Sequence, residues 1–168
     1  MEGKGIQESA VVMSQLMNPQ DTNTAGNVHG GVIMRLIDTA AGVVAARHAR
    51  SNVVTASIDR LDFHHPAFVG NLLTLRASLN LVGRTSMEVG VRVETENLIS
   101  GERRHTASAY LTYVALDKQG RPLPVPPLAL ETEEELRRNR EAKARRETRL
   151  AEKKKEKACQ TAASDCPS

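Results

Sequence analysis

The longest periodic apolar segment of the chain predicts one buried helix, from Gly31 to His48. Its apolar residues recur at intervals of three and four, the spacing of one face of an α-helix, and further Val and Ala residues widen that face around most of the circumference. At about 1.5 Å per residue this helix would run roughly 27 Å, long enough to cross a small domain. Three charged residues, Arg35, Asp38 and Arg47, interrupt it too often for a membrane span.

Five shorter segments have the composition or the alternation of β-strands. β-Branched residues are frequent in them, and Gly, Pro or Asn residues separate them. We expect strands at residues 8–17, 52–61, 72–82, 86–96 and 103–116. In the second of these, alternation places four residues on one side: Val53, Thr55, Ser57 and Asp59. Successive hairpins predict an antiparallel sheet, and the whole pattern predicts an α+β fold with a five-stranded sheet curled around the helix.

A proline-rich segment, PLPVPPL at 122–128, predicts the end of the domain because it cannot join the interior of a sheet. We therefore expect one domain over residues 8–128 and a C-terminal extension over residues 129–168. The extension is charged, with Glu and Arg four residues apart, and its only large apolar residues are Leu136 and Leu150. This composition predicts a solvated or loosely docked helix with a disordered end.

Composition and charge narrow the classes of function. A chain of 168 residues with 40% hydrophobic residues suits a single core. Aromatic residues make up only 2%, so stacking platforms for single-stranded nucleic acid are almost unavailable. The formal net charge of +3 resides in residues 131–157, where eleven Lys and Arg residues are interspersed with eight Glu. We expect no nucleic-acid partner.

Cysteine usage and the N-terminus predict a cytoplasmic protein. Cys159 and Cys166 both lie in the polar tail, which argues against a disulfide framework or a metal site and fits a reducing compartment. The first ten residues lack the apolar run of a secretory signal, and no apolar stretch is long enough to span a membrane. The five histidines lack zinc-binding spacing such as His-Glu-x-x-His, so we expect no metal.

Asp38 is a carboxylate within the apolar helix. One turn later, Ala41 and Gly42 leave space beside it that a substrate could occupy. On the pattern alone, an i to i+3 salt bridge with Arg35 on a solvated stripe is an equal alternative.

Several motifs, taken in order, resemble the hot-dog-fold acyl-CoA thioesterases: Asn27-x-His29-Gly30-Gly31, Asp38 in the following helix, Val54-Thr55-Ala56-Ser57, and Val82-Gly83-Arg84-Thr85-Ser86-Met87. The likeness covers about residues 8 to 128 and is closest to the long-chain and brain-type acyl-CoA hydrolase branch. It implies a helix wrapped by a five-stranded antiparallel sheet, dimers with a continuous sheet, and trimers of dimers. Acyl-CoA would be the substrate, with no further cofactor.

The resemblance also implies that Asp38 of one subunit acts with Asn27 of the facing subunit at the dimer interface. Chemistry supports these residue types: a water that attacks a thioester must lose a proton, and a carboxylate in a partly dry cleft is a stronger base than one in water. We expect Asp38 to be the general base and Asn27 to orient the water or the carbonyl. A nucleophilic role for Asp38, through a mixed anhydride, stays open.

Backbone N–H groups near Gly30 and Gly31, at the first turn of the helix, would donate to the oxyanion that forms, with the helix dipole reinforcing them. Close packing of the helix on a strand is the alternative role for this glycine pair. For the CoA pyrophosphate, the turn between two strands offers a guanidinium and two hydroxyls: Gly83, Arg84, Thr85 and Ser86. An ordinary polar hairpin is its alternative. Weaker candidates for the pantetheine or the 3′-phosphate are Thr55, Ser57 and Arg121.

Two other functions stay open. A hydroxyacyl dehydratase of the same fold would resemble chains with a catalytic His in a Phe-Pro-Gly neighbourhood, which FHHPAFVG at 63–70 matches poorly. A non-catalytic regulator that binds acyl-CoA or a nucleotide belongs to a different class. The presence of both Asp38 and Asn27 argues against it.

Overall fold

The structure of the chain is a computed structural model, and it describes residues 1–164. In chain order its helices and strands are β1 (Lys4–Gly5), β2 (Val11–Leu16), α1 (Gly30–Ala49), β3 (Asn52–Phe63), β4 (Asn71–Val82), β5 (Ser86–Asn97), β6 (Arg103–Leu116), β7 (Leu128–Ala129) and α2 (Glu133–Ser164). Short 3-10 turns occupy Ile6–Glu8 and Pro19–Asp21. Cys166, which the sequence places in the tail, lies outside the described residues.

The main sheet has five antiparallel strands in the order β2-β4-β5-β6-β3. Its inner face wraps α1, and alternate residues of the central strands pack there, including Leu73, Leu75, Leu79, Val89, Val93 and Leu111. The other residues of these strands form the outer face. The predicted five-stranded antiparallel sheet around a long helix is therefore confirmed.

Helix α1 is two residues longer than its prediction and runs about 30 Å. It begins after His29, whose ring accepts a hydrogen bond from the Gly31 N–H and so caps the helix. It ends at Arg50, which adopts a left-handed conformation with φ of 52°. Seven of the eight buried residues of the helix are apolar, because α1 packs against the concave face of the sheet.

Strand β3 departs from the alternation that its sequence predicts. Thr55 pairs with Tyr113 on the inner face, whereas Ser57 pairs with Thr112 on the outer face, and the register shifts between them. Ala56 is the extra residue of this β-bulge, so the side chains change phase. A second shift, between Ile58 and Arg60, adds another unpaired residue to β3 and returns the side chains to their original phase, so that Leu61 again faces the core. The prediction that Thr55 and Ser57 share a side is wrong, because a bulge adds a residue that strict alternation does not include.

Helix α2 docks on the outer face of the sheet through polar contacts, more closely than a solvated or loosely docked helix would. Ala142 is fully buried against the sheet. Arg138 donates to Asn80 Oδ1 over 2.6 Å, and Arg145 donates to Glu88 Oε1 over the same distance. The apolar pattern of the helix did not reveal this contact, because arginines and not leucines make it.

Candidate active site

Asp38 lies on α1 at the point where the helix faces β3 and β6. Its Oδ1 accepts a hydrogen bond of 2.8 Å from Thr55 Oγ1 and one of 2.7 Å from the Tyr113 hydroxyl. The carboxylate is half buried. These two donors fix one oxygen of the carboxylate and leave its geometry well defined.

Tyr113 is a residue that the sequence analysis missed. It is 2% exposed, on the inner face of β6, and its hydroxyl also donates to the Asp38 carbonyl oxygen over 2.8 Å. Burial, reinforced by the hydrogen bond to Asp38, raises the pKa of Tyr113 well above its usual range. The hydroxyl is therefore a permanent donor at neutral pH. Its spacing in β6 resembles that of an ordinary core aromatic, so nothing in the sequence distinguished it.

The second carboxylate oxygen of Asp38, Oδ2, takes part in none of the hydrogen bonds between residues 1–164. The salt bridge to Arg35 that the helix pattern allowed is also absent from the described part of the chain. The Arg35 carbonyl instead accepts a bond from Thr39 Oγ1 over 2.8 Å. Asp38 is thus held by neutral donors and keeps one oxygen available for a proton or a water.

A pocket of about 360 Å³ lies at the N-terminal end of α1, and we call it the N-terminal pocket. It is lined by Asn23, Asn27, Val28, Gly30, Ile33, Phe63, His64, His65, Pro66 and Ala67. Asn27 is half buried there, and Asn23 Oδ1 accepts from the N–H groups of Ala25 and Asn27. The pocket combines apolar side chains with two amides, a combination that suits an acyl thioester.

The predicted oxyanion donor Gly31 is already engaged, because its N–H donates to His29 Nδ1 over 2.9 Å. A Cβ at Gly31 would lie only 3.0 Å from the same ring nitrogen, so glycine permits this cap. Gly30, one residue earlier, lines the N-terminal pocket. Within the described residues the Gly30 N–H has no hydrogen-bond partner, as is usual at the start of a helix.

Asp38 and the N-terminal pocket are separate within one chain. Asp38 lies eight residues after Gly30, a rise of about 12 Å along α1. Neither Asp38 nor its donors Thr55 and Tyr113 line the pocket. One chain alone therefore does not bring the two predicted catalytic residues, Asp38 and Asn27, together.

The predicted CoA-binding turn joins β4 to β5. Its ends are closed by a 2.7 Å bond from the Gly83 N–H to the Ser86 carbonyl. The Arg84 carbonyl accepts a bond from Val125 of the proline-rich segment, and the Thr85 carbonyl accepts one from Ala115 of β6. The Arg84 side chain is exposed. Arg146 of α2, which the sequence analysis did not assign, lies beside it: a Cβ at Gly83 would be 3.1 Å from Arg146 Nη1. Two guanidinium groups therefore flank this turn.

The weaker predicted contacts are spread over the structure. Thr55 lies at Asp38, as described above. Ser57 is on the outer face, where its hydroxyl donates to Asp59 Oδ1 over 2.6 Å. Arg121 pairs with Asp117 over 2.9 Å in an exposed turn. Only the four residues of the β4–β5 turn form one cluster.

The described residues offer neither a metal cluster nor a membrane-spanning helix. No group of three or more His, Cys, Asp or Glu side chains within residues 1–164 is placed to hold a metal ion. Neither of the two described helices is long and apolar enough to cross a membrane.

Comparison with known proteins gives the family. A model of the thioesterase superfamily matches residues 25–101. An apo-hexameric acyl-CoA thioesterase of known structure is 43% identical and superposes with a TM-score of 0.87, over 90% of this chain and 97% of the other. The chain belongs to the thioesterase superfamily. Its fold is the hot-dog fold that the sequence motifs predict.

Two further relatives of this thioesterase-family chain are named as acyl-CoA hydrolases. The cytosolic acyl coenzyme A thioester hydrolase of Rattus norvegicus is 41% identical over 86% of this chain. The chain spans only 38% of that relative's length. An acyl-CoA hydrolase of Staphylococcus aureus, solved with butyryl-CoA, CoA and CoA disulfide, is 34% identical with a TM-score of 0.87, covering 96% of this chain and 99% of the other.

Other structures of the Staphylococcus aureus hydrolase carry single substitutions to alanine. One replaces an aspartate, one an asparagine that precedes this aspartate by 15 positions, and one a threonine that follows it by 17 positions. Aspartate, asparagine and threonine side chains are also found at the candidate site of the thioesterase-family chain.

Proposed function

We propose that this protein is an acyl-CoA thioesterase, which hydrolyses fatty acyl-CoA to a free fatty acid and CoA. The observation that carries the proposal is the Asp38 carboxylate, held at Oδ1 by Thr55 and Tyr113 and open at Oδ2. A carboxylate fixed in this way is oriented to take a proton without a change of its own geometry. The named hydrolases among the relatives support the same activity.

The reaction needs two subunits. Since Asp38 lies about 12 Å along α1 from the N-terminal pocket, the carboxylate of one subunit would face the pocket of another. Within residues 1–164, β3 is an edge strand paired with β6 alone, so its other side can extend the sheet. Exposed apolar side chains on α1 and β3 favour such a contact: Met34, Val43, Val54, Ile58 and Phe63.

In the proposed mechanism Asp38 acts as general base. A water loses a proton to Asp38 Oδ2 while its oxygen attacks the thioester carbon, and the carbonyl becomes a tetrahedral oxyanion. Collapse of this intermediate breaks the C–S bond, releases the fatty acid, and leaves CoA thiolate to take up the proton. Direct attack by the carboxylate, followed by hydrolysis of the mixed anhydride, is the second route.

The oxyanion would be stabilised at the start of α1. Of the two glycines predicted as donors, Gly30 has an N–H at the first turn of the helix that is unpartnered within residues 1–164. Gly31 would have to exchange its bond to His29 for one to the substrate. An asparagine amide in the N-terminal pocket would complete the set of donors.

Two asparagines are candidates for that amide. Asn27 is the residue that the sequence motif assigns. Asn23 is supported by spacing: it precedes Asp38 by 15 positions, and Thr55 follows Asp38 by 17, as in the three substitutions made in the Staphylococcus aureus hydrolase. Both side chains line the same pocket. Single substitutions of each asparagine by alanine decide between them.

The turn Gly83–Ser86 would bind the pyrophosphate of CoA, with Arg84 donating from its exposed guanidinium. Arg146 strengthens the proposal because a second guanidinium beside the turn suits a doubly charged group. Thr55 would serve Asp38 instead of the pantetheine. Assembly into dimers and trimers of dimers, and a cytoplasmic location, are part of the proposal; a hexameric thioesterase and a cytosolic hydrolase among the relatives support them.

The proposal is tested by release of CoA thiol from acyl-CoA of short, medium and long chain. Wild type should turn over at least one of them, and Asp38→Asn, which keeps the size of the side chain but removes the base, should lose kcat by a factor on the order of 100 or more. A folded Asp38→Asn protein with wild-type turnover would refute the role of Asp38. Binding of acyl-CoA by wild type without turnover would favour a regulator.

A further inference from the structure

An ion pair of low exposure connects α2 to β3 on the outer face of the sheet. Arg149 bonds to Asp59 Oδ2, and their side chains are only 16% and 10% exposed. Arg149 Nη1 also donates to Thr112 Oγ1 over 2.6 Å, and this hydroxyl donates to Asp59 Oδ2 over 3.1 Å. Ser57 Oγ binds the other carboxylate oxygen. Asp59 is therefore fully bonded, and Arg149 is the cation that balances its charge.

Asp59 lies in the least regular part of β3. The strand is bulged at Ala56 and again at Asp59, and each bulge interrupts the ladder with β6. Within the described residues β3 is an edge strand that pairs only with β6. Thr55, whose hydroxyl donates to Asp38, comes directly before the first bulge. The Asp59 network binds β3 from the outer side four residues after Thr55.

We infer that Arg149 is a positioning residue of the active site: by pairing with Asp59 it fixes the bulged course of β3 and so holds Thr55 against Asp38. The inference rests on the proposed function, in which Asp38 is the base. Without the guanidinium, the charge of Asp59 keeps its bonds to Ser57 and Thr112 but has lost its counter-ion at a site of low exposure, which favours conformations of β3 that carry this carboxylate towards water. Such conformations weaken the 2.8 Å bond from Thr55 to Asp38.

A double-mutant cycle tests the coupling. Arg149→Met should lower kcat by about three- to fivefold, and no more than Thr55→Val does, with KM within about twofold of wild type, because the substrate contacts are untouched. Thr55→Val should lower kcat as well, and the double variant should be no worse than the poorer single variant, because both changes act on the same bond. Arg149→Lys should recover part of the loss. Additive losses in the cycle, or wild-type kcat in Arg149→Met, would overturn the inference.

Arg137→Met is the matched control, since Arg137 also lies on α2 and forms ion pairs, with Glu134 and Glu141, but on the exposed side of the helix. It should keep wild-type kcat. An equal loss in this control would mean that any change of charge on α2 lowers activity, and would count against Arg149.

Amide hydrogen exchange gives a readout that does not need turnover. Exchange of residues 52–60 should be faster in Arg149→Met than in wild type, whereas the interior of β4 should be unchanged. Asp59→Asn, which removes the charge and keeps the volume, should give the same result and replaces Arg149→Met if that variant fails to fold. Unchanged exchange in β3 would contradict the inference. Failure of the proposed function is distinct: wild type would then turn over no acyl-CoA, or Asp38→Asn would remain active, whatever the exchange of β3.

Discussion

The Tyr113 hydroxyl contacts Asp38 twice, at 2.7 Å from the carboxylate Oδ1 and at 2.8 Å from the backbone carbonyl. It therefore fixes the carboxylate relative to the helix that carries it. Together with Thr55, it occupies Oδ1 and leaves Oδ2 directed away from the donors. This arrangement connects β3, β6 and α1 at one carboxylate.

Substitution of Tyr113 by phenylalanine should lower kcat by about tenfold, corresponding to roughly 1.4 kcal/mol, because one of the two donors that orient Asp38 is lost. The ring remains, so the core should stay packed. Steady-state release of CoA thiol measures kcat, and thermal unfolding serves as the control for folding. A folded Tyr113→Phe protein with wild-type kcat would show that the hydroxyl has no part in the reaction.

Substitution of Thr55 by serine and by valine should separate its hydroxyl from its shape. Thr55→Ser retains the donor to Asp38 and should keep kcat within about threefold of wild type, whereas Thr55→Val should lose about three- to tenfold. Both variants are compared on the same acyl-CoA. If Thr55 instead binds the pantetheine, as its position in the sequence motif allowed, the valine variant should raise KM and leave kcat unchanged.

The stability of the fold should fall on mild acidification because of His48. This residue is buried at the end of α1 and donates from Nε2 to the Pro126 carbonyl over 2.8 Å, and within the described residues its Nδ1 has no partner. Burial lowers the pKa of His48, and the nearby Lys4 ammonium adds to the effect. A second proton, on Nδ1, would make this nitrogen a buried hydrogen-bond donor without an acceptor.

The direction of this pH dependence follows from the linkage between proton binding at His48 and folding. The unfolded chain binds a proton at His48 with a pKa of about 6.5, and the folded chain binds it only at lower pH. The stabilisation is therefore complete above about pH 6.5 and is lost as the pH falls through the lower, folded pKa. Urea unfolding at pH 7.5 and pH 5.5 measures it. His48→Gln, which cannot titrate, should show a smaller decrease; an equal decrease would assign the effect to other groups.

Substitution of Gly90 by alanine should destabilise the docking of α2. A Cβ at this outer-face position would lie 2.7 Å from Asn80 Nδ2, too close for any real contact. Asn80 would have to move, and its bonds to Glu88 and Arg138 would be strained. We expect a loss of about 1–3 kcal/mol in the free energy of unfolding. Gly3→Ala, whose Cβ would be 3.7 Å from its nearest neighbours, is the control and should be close to neutral.

The elements of the fold were predictable because their patterns are local. The 3.6-residue period predicted α1, and the β-rich runs predicted all five strands of the main sheet to within a few residues. Both patterns are local because the alternation of apolar and polar residues shows which face of an element is buried. Helix α2 was predicted as a helix, but its docking was not. The contacts that hold it, such as Arg145 with Glu88, join residues far apart in the chain and use polar groups on both sides.

The candidate site was predictable in its chemistry and less so in its geometry. Asp38 stood out as a carboxylate in an apolar helix, and the β4–β5 turn as a cluster of donors. Tyr113 and Arg146 were not identified, because an aromatic residue in a strand and an arginine in a charged helix are common. The bulge at Ala56, which separates Thr55 from Ser57, depends on the pairing of β3 with β6 and has no signal in the sequence.

The most direct test of a composite site is an exchange of subunits between inactive variants. Asp38→Ala and the inactive asparagine variant, Asn23→Ala or Asn27→Ala, are each assayed for release of CoA thiol and then mixed in equal amounts after dissociation and reassembly. If each site takes its carboxylate from one subunit and its amide from another, mixed dimers contain one intact site, and the mixture should recover about a quarter of wild-type activity. No recovery, although mixed oligomers are shown to form, would contradict the composite site.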